Sequence, residues 1–166
     1  MATLKTANTT GKYHDPNSIP DVIAYIMNPA KAIHQYIGFV GIDPNHIVFA
    51  MKNVALTYQK TNGVQLRHFI LSFPPAELQN PAVAFQIGAE VADYLGREYQ
   101  VAYAVHEDKP HIHIHIVINA VSYIDGHRYS GKKKPFYQLM NATSSILQKY
   151  GIIRLKYVSN TRRYQG

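Results

Sequence analysis

Tyr99-Gln-Val-Ala-Tyr-Ala-Val-His106-Glu-Asp-Lys-Pro-His111-Ile-His113-Ile-His115-Ile-Val-Ile-Asn119-Ala-Val121 is the stretch that decides the fold. Its two arms, Tyr99 to His106 and His111 to Val121, are rich in β-branched residues and read as strands. The tetrapeptide Glu107-Asp108-Lys109-Pro110 between them is turn-forming, which makes the arms antiparallel neighbours. On a strand the side-chain period is two, so His111, His113 and His115 share one face while Ile112, Ile114, Ile116 and Ile118 take the other. The isoleucines then face a core and the imidazoles line a site.

Four of the nine histidines fall within residues 106–115. A lone histidine is read most simply as a satisfied core or surface residue, but three alternating with isoleucine and a fourth at the adjoining strand end form a chelating pattern. Two imidazoles from the strand converge on one cation, and His106 is placed to be the third ligand. A site without thiolates keeps open coordination positions, as Lewis-acid polarisation of a phosphate oxygen requires. Asp108 is expected to accept a second imidazole N–H and fix a ligand's tautomer.

Outward from this pair, Asp15-Pro16-Asn17-Ser18 opens a short helix carrying Val22, Ile23 and Ile26, stopped near Met27 by Asn28-Pro29. A brief β-prone run, Tyr36 to Val40, precedes a second helix from Asp43-Pro44-Asn45 to about Tyr58. Gln65 to Phe73 reads as a strand, and Pro81 begins an amphipathic helix ended by Gly96. After a polar turn at Asp125-Gly126 and a basic loop come a helix from about Pro135 to Tyr150 and a last strand, Ile152 to Val158. The expected class is α+β, a mainly antiparallel central sheet of about five strands flanked by helices.

With 166 residues and 46% hydrophobic content, residues 1–166 are expected to form a single domain. No apolar stretch reaches the roughly 20 residues of a membrane span, and the N-terminus lacks a signal-peptide core, so a cytoplasmic protein without a membrane partner is expected. The absence of cysteine removes disulfides and thiolate metal sites, leaving His, Asp and Glu as ligands. The formal charge of +7 is uneven: residues 121–166 hold 9 Lys/Arg against Asp125 alone, whereas residues 1–120 hold 8 against 9 acids. Arg128, Tyr129, Lys132, Lys133, Lys134 and Tyr137 combine cations with rings and suit single-stranded nucleic acid. A solvated surface or an anionic membrane face is the plainer reading of such charge.

The pattern His106-x-Asp108-x4-His113-x-His115-x3-Asn119 resembles the third motif of the relaxases of conjugative plasmids and integrative elements, within the HUH endonuclease group. Ala24-Tyr25-Ile26-Met27-Asn28-Pro29 resembles their first motif. Arg67 to Phe73 is similar to their central strand, and Ser122 to Gly126 with the basic loop to the segment after the histidine strand. The resemblance implies an HUH/relaxase-like fold and a bacterial nickase, with His106, His113 and His115 as metal ligands, His111 as an alternative ligand or base, and Tyr25 as nucleophile. Asp108 is a further catalytic candidate. It also implies a divalent metal, with Mn or Mg first in expectation, a single-stranded origin-of-transfer DNA partner and accessory mobilisation proteins. Family relaxases are usually longer, so the chain is expected to be the N-terminal part of a longer protein.

The implied reaction is attack of Tyr25 on one phosphodiester to give a 5′-phosphotyrosine and a free 3′-hydroxyl, in mobilisation of a plasmid or integrative element. An HUH replication initiator or transposase would use a nucleophile on a helix after the histidine strand, making Tyr137 the candidate. A non-catalytic single-strand-binding module would hold a structural metal and never nick.

Overall fold

Ile114, Ile116 and Ile118 enter one apolar cluster while Val117, one residue out of phase, enters another on the reverse side of the same sheet. A computed structural model describes residues 1–7 and 12–158. Its strands are β1 (Ala2–Thr6), β2 (Ala32–Val40), β3 (Leu66–Ser72), β4 (Val101–His106), β5 (His113–Asn119) and β6 (Leu155–Val158). The helices are α1 (Ser18–Ile26), α2 (Ile47–Thr57), α3 (Pro81–Leu95) and α4 (Lys133–Gln148), with a short 3-10 turn at Lys12–His14. The strands form one sheet in the order β2-β4-β5-β3-β1-β6.

The α+β class is as expected, and the β4–β5 hairpin stands at the sheet's middle with His106 paired to His113. The sheet is mainly antiparallel, as expected, with one strand more than the five read from the sequence. β1 is a sixth strand; it pairs antiparallel with β3 and parallel with β6, so the sheet is mixed at one edge. Ala-Thr-Leu-Lys-Thr offers only Ala2 and Leu4 as apolar positions, too short an alternation to distinguish from a polar terminus, yet both side chains are fully buried. β5 also begins two residues later than expected, leaving His111 in the connection before it.

Asn80 accepts a hydrogen bond from the backbone N–H of Ala82 (2.9 Å) and Pro81 occupies the first turn of α3, an ordinary start signal. The helix lies close on the sheet: a Cβ at Gly88 would stand 3.2 Å from both Ile114 Cγ2 and Tyr103 Cδ2. Helices α3 and α4 cover the isoleucine face, and α1 and α2 contribute Ile19, Ile23, Ile26 and Met51 to the other. No helix among the described residues is long and apolar enough to cross a membrane.

Ile114 is fully buried beneath α3 on the face away from the imidazoles. Ile114→Ala is expected to destabilise the fold by about 2–5 kcal/mol in a urea titration. An unchanged midpoint would place Ile114 outside the core.

Candidate active site

Directly paired residues of an antiparallel ladder share a face, so the pairs His106↔His113, Ala104↔His115 and His68↔Val117 put four imidazoles on the α1 side of the sheet. His106, His113 and His115 are buried, and one nitrogen from each lies within 4.8 Å of the others, a grouping that could hold a metal ion. Ring centroids are 4.1 Å apart for His106 and His115, 5.3 Å for His106 and His113, and 5.1 Å for His113 and His115. The small side chains of Ala102 and Ala104 leave room above β4 for these rings and for α1.

The hydrogen bonds around the triad assign its protons. His106 Nε2 lies 2.8 Å from the Ile26 carbonyl, which can only accept, so Nε2 carries the proton and Nδ1 is bare. That Nδ1 is buried without a hydrogen-bond partner, as is Nε2 of His115. The two ring nitrogens of His113 both face acceptors, the His111 carbonyl at 3.2 Å and Asp108 Oδ1 at 3.3 Å. A neutral imidazole has one N–H, so one lone pair there confronts another oxygen. Orphaned lone pairs in a buried cluster are costly in isolation and suit a cation.

Burial holds all three imidazoles below their ordinary pKa, most strongly at His115, where His68, His106 and His113 add to the effect. They are neutral near pH 7, the form that donates a lone pair to metal. The Asp108–His113 contact is therefore no ion pair at that pH. Desolvation raises the Asp108 carboxyl, but His113, its backbone hydrogen bond and Lys31 outweigh it and hold it below the usual range. Lys31 Nζ stands 3.7 Å from Asp108 Oδ2.

Tyr25 sits in the last turn of α1, where its ring meets His115 edge-on at 5.5 Å, His106 at 5.9 Å and His68 at 6.5 Å between centroids. It is 42% exposed, with Lys31 Nζ 5.0 Å from the ring centre. Asn28-Pro29 ends the helix as expected: the Asn28 N–H reaches the Tyr25 carbonyl at 3.3 Å, and the Ile26 carbonyl is left for His106. Sequence reasoning named Tyr25, Asp108 and the three candidate ligands, and the fold brings them into one neighbourhood. It missed Lys31 and His68. His68 Nε2 lies 2.7 Å from His115 Nδ1, and the one hint was an imidazole beside the apolar run Phe69-Ile70-Leu71 of β3.

Of the remaining candidates, His111, Arg128 and Tyr129 are placed differently from expectation. His111 reaches His113 at 5.8 Å but lines a cleft with Met1, Thr3, Pro74 and Pro75, because it precedes the strand and does not follow its alternation. Arg128 donates to the carbonyls of Lys60 (2.9 Å) and Asn62, tying the loop to the turn before β3. Tyr129 is only 6% exposed, its ring packed edge-on to Phe69 and Tyr99, so neither face is offered to a base. Lys132, Lys133, Lys134 and Tyr137 are exposed at the start of α4.

A family model described as "Relaxase: MobA/VirD2-like, nuclease domain" matches residues 25–152, from Tyr25 through the histidines and the whole of α4. Two curated relatives, both called Protein rlx and both from Staphylococcus aureus, are 34% identical over 110 residues and 35% identical over 101 residues. These matches cover 66% and 61% of this chain but 35% and 31% of the relatives, so the chain spans about a third of their length. The group II intron-interrupted relaxase LtrB of Lactococcus lactis subsp. cremoris is 33% identical over 78 residues, 46% of this chain and 14% of that protein. A solved structure described as "Molecular Basis of Vancomycin Resistance Transfer in Staphylococcus aureus" aligns with a TM-score of 0.50 at 16% identity, over 72% of this chain and 73% of that one, a likeness of fold.

The separation of His111 from the triad is open to direct test. Replacing His106, His113 and His115 together by alanine should abolish Mn2+ uptake in a calorimetric titration, whereas His111→Ala should retain most of it. An empty site in His111→Ala alone would overturn the ligand assignment.

Proposed function

Since this chain belongs to the MobA/VirD2-like relaxase nuclease-domain family, we propose that it nicks single-stranded origin-of-transfer DNA by transesterification at Tyr25, in mobilisation of a plasmid or integrative element. The observation that carries this reading is the half-exposed Tyr25 ring standing edge-on to His115 and tilted against His106, open to solvent on one side and against the buried triad on the other.

The phenolic oxygen of Tyr25 bonds to phosphorus and the bond from phosphorus to the 3′-oxygen breaks, leaving a 5′-phosphotyrosine and a 3′-hydroxyl. The phenol proton leaves as the first bond forms, and the 3′-oxygen gains one as the second breaks. Because the phosphodiester bond is exchanged and not hydrolysed, the same site can reseal the strand by the reverse step. A divalent ion such as Mn2+ or Mg2+, held by His106, His113 and His115, would supply Lewis-acid withdrawal of charge from a phosphate oxygen. The Lys31 ammonium lies beside both Tyr25 and Asp108 and favours the developing phenolate as well as an approaching phosphate. Asp108, held in its anionic form and joined through Lys31 to the Tyr25 ring, is the acceptor candidate for the phenol proton, since His111 lines a separate cleft.

Lys132, Lys133 and Lys134 gather at the N-terminus of α4, where the helix dipole is already positive. Cations there disfavour the helix by a few tenths of a kcal/mol each, an arrangement that a backbone phosphate relieves. With Arg128 and Tyr129 occupied inside the fold, these lysines and Tyr137 remain the DNA contacts of choice. Tyr137 as nucleophile is the weaker reading, because α4 packs with α3 on the isoleucine side of the sheet, away from the triad.

Replacing Lys132, Lys133 and Lys134 together should weaken single-strand binding and lower the slope of log K against log salt by about 0.7 for each phosphate that is no longer neutralised. An unaltered slope would move the DNA elsewhere. Tyr25→Phe removes one oxygen and keeps the ring, so it should still bind the oligonucleotide while yielding neither nicked strand nor covalent adduct. Tyr137→Phe should give both. Peptide mapping of the wild-type adduct decides the point, and a nucleotide on any other tyrosine sinks the assignment.

A further inference from the structure

A line of hydrogen bonds runs behind the triad, from β5 across β3 to the 3-10 turn. His115 Nδ1 is 2.7 Å from His68 Nε2, His68 Nδ1 is 3.2 Å from the Tyr13 hydroxyl, and that hydroxyl is 3.2 Å from the Ala7 carbonyl. With a single proton on each ring and one on the phenol, the line runs in one of two directions.

Its two ends choose between them. The Ala7 carbonyl can only accept, so Tyr13 donates to it and the phenolic oxygen accepts from His68 Nδ1. Burial, with Tyr25 nearby, raises the Tyr13 pKa, so the phenol keeps its proton. His68, with its proton on Nδ1, presents a bare Nε2 that accepts from His115 Nδ1. At the other end His115 Nε2 is then bare, and it is a buried atom with no hydrogen-bond partner. The reverse direction would put a proton on that atom, aimed into a buried cluster of imidazoles where a lone pair can serve a cation and an N–H cannot. Both ends favour the arrangement that leaves His115 Nε2 free, matching the bare Nδ1 of His106.

We propose that His68, backed by Tyr13, is a positioning residue that fixes the tautomer of His115 so that Nε2 faces the triad as a lone pair. This rests on the reading of the triad as the metal site. His68 touches neither metal nor DNA in this role; it acts through the ring it holds. The position is specific in kind, because it calls for an acceptor towards His115 and a donor towards Tyr13 on one rigid ring, and imidazole supplies both.

The test has two readouts independent of nicking. In long-range 1H–15N spectra of the metal-free protein, His115 should be the Nδ1–H tautomer; an Nε2–H tautomer in the wild type overturns the proposal. In calorimetric titration with Mn2+, His68→Leu, which keeps bulk and removes the acceptor, should bind about 10–100-fold more weakly. His68→Gln, whose Oε1 can accept from His115, should recover most of that affinity, and thermal unfolding of each variant separates a local effect from a folding defect. Equal affinity of His68→Leu and wild type, or a folded His68→Gln no better than His68→Leu, counts against the role of His68. Should His68→Leu fail to fold, the wild-type tautomer and the Gln variant still decide. Wild-type protein that takes up no Mn2+ would sink the metal reading instead, while the spectra still judge His68.

Discussion

The register between β4 and β5 is the constraint on which the rest of the molecule depends. With His106 opposite His113 and Ala104 opposite His115, three imidazoles and a small residue occupy one patch of sheet, and the isoleucines between them fill the core behind. A slip of one residue would send the imidazoles into the apolar cluster and the isoleucines to the site, so burial energy and site geometry are enforced by the same pairing. The tight seat of α3 on Ile114 and Tyr103 locks that register from the rear. Site precision here is a by-product of core packing.

The basic third of the chain divides by role in a way that net charge does not disclose. The Arg128 guanidinium is engaged by backbone carbonyls that hold the loop in place, and Arg67 reaches the Tyr129 carbonyl at 3.4 Å from the far side. The lysines at the start of α4 have no such engagement and stand out in solvent. Arginine's planar fork suits fixed carbonyl geometry, while the flexible ammonium suits a polyanion whose position varies.

How far the sequence could be read depended on the range of the signal. The histidine strand was legible because its period-two alternation is strong, and Tyr25 because the motif before Asn28-Pro29 resembles a known one. β1 was not, since five residues with two apolar positions carry no periodicity above background; its place is set by pairing with β3, far away in the chain. Tyr129 looked like a surface ring beside lysines, yet contacts with Phe69 and Tyr99 from two other segments draw it inside. His68 could be seen as a residue but not as a partner of His115, because that relation lies across strands 47 positions apart. Local alternation could be read from neighbours; cross-strand partnership could not.

The bond from the His106 ring to the Ile26 carbonyl joins the end of one helix to the end of one strand, one residue beyond the phenol. The helix terminus would otherwise present that carbonyl to water and fray. Fastened to a buried imidazole, it holds the helix end that carries the Tyr25 phenol against the imidazole cluster, so much of the orientational freedom between them is given up during folding. The consequence is entropic: that share of the protein's ordering is met in folding and does not recur when a ligand binds.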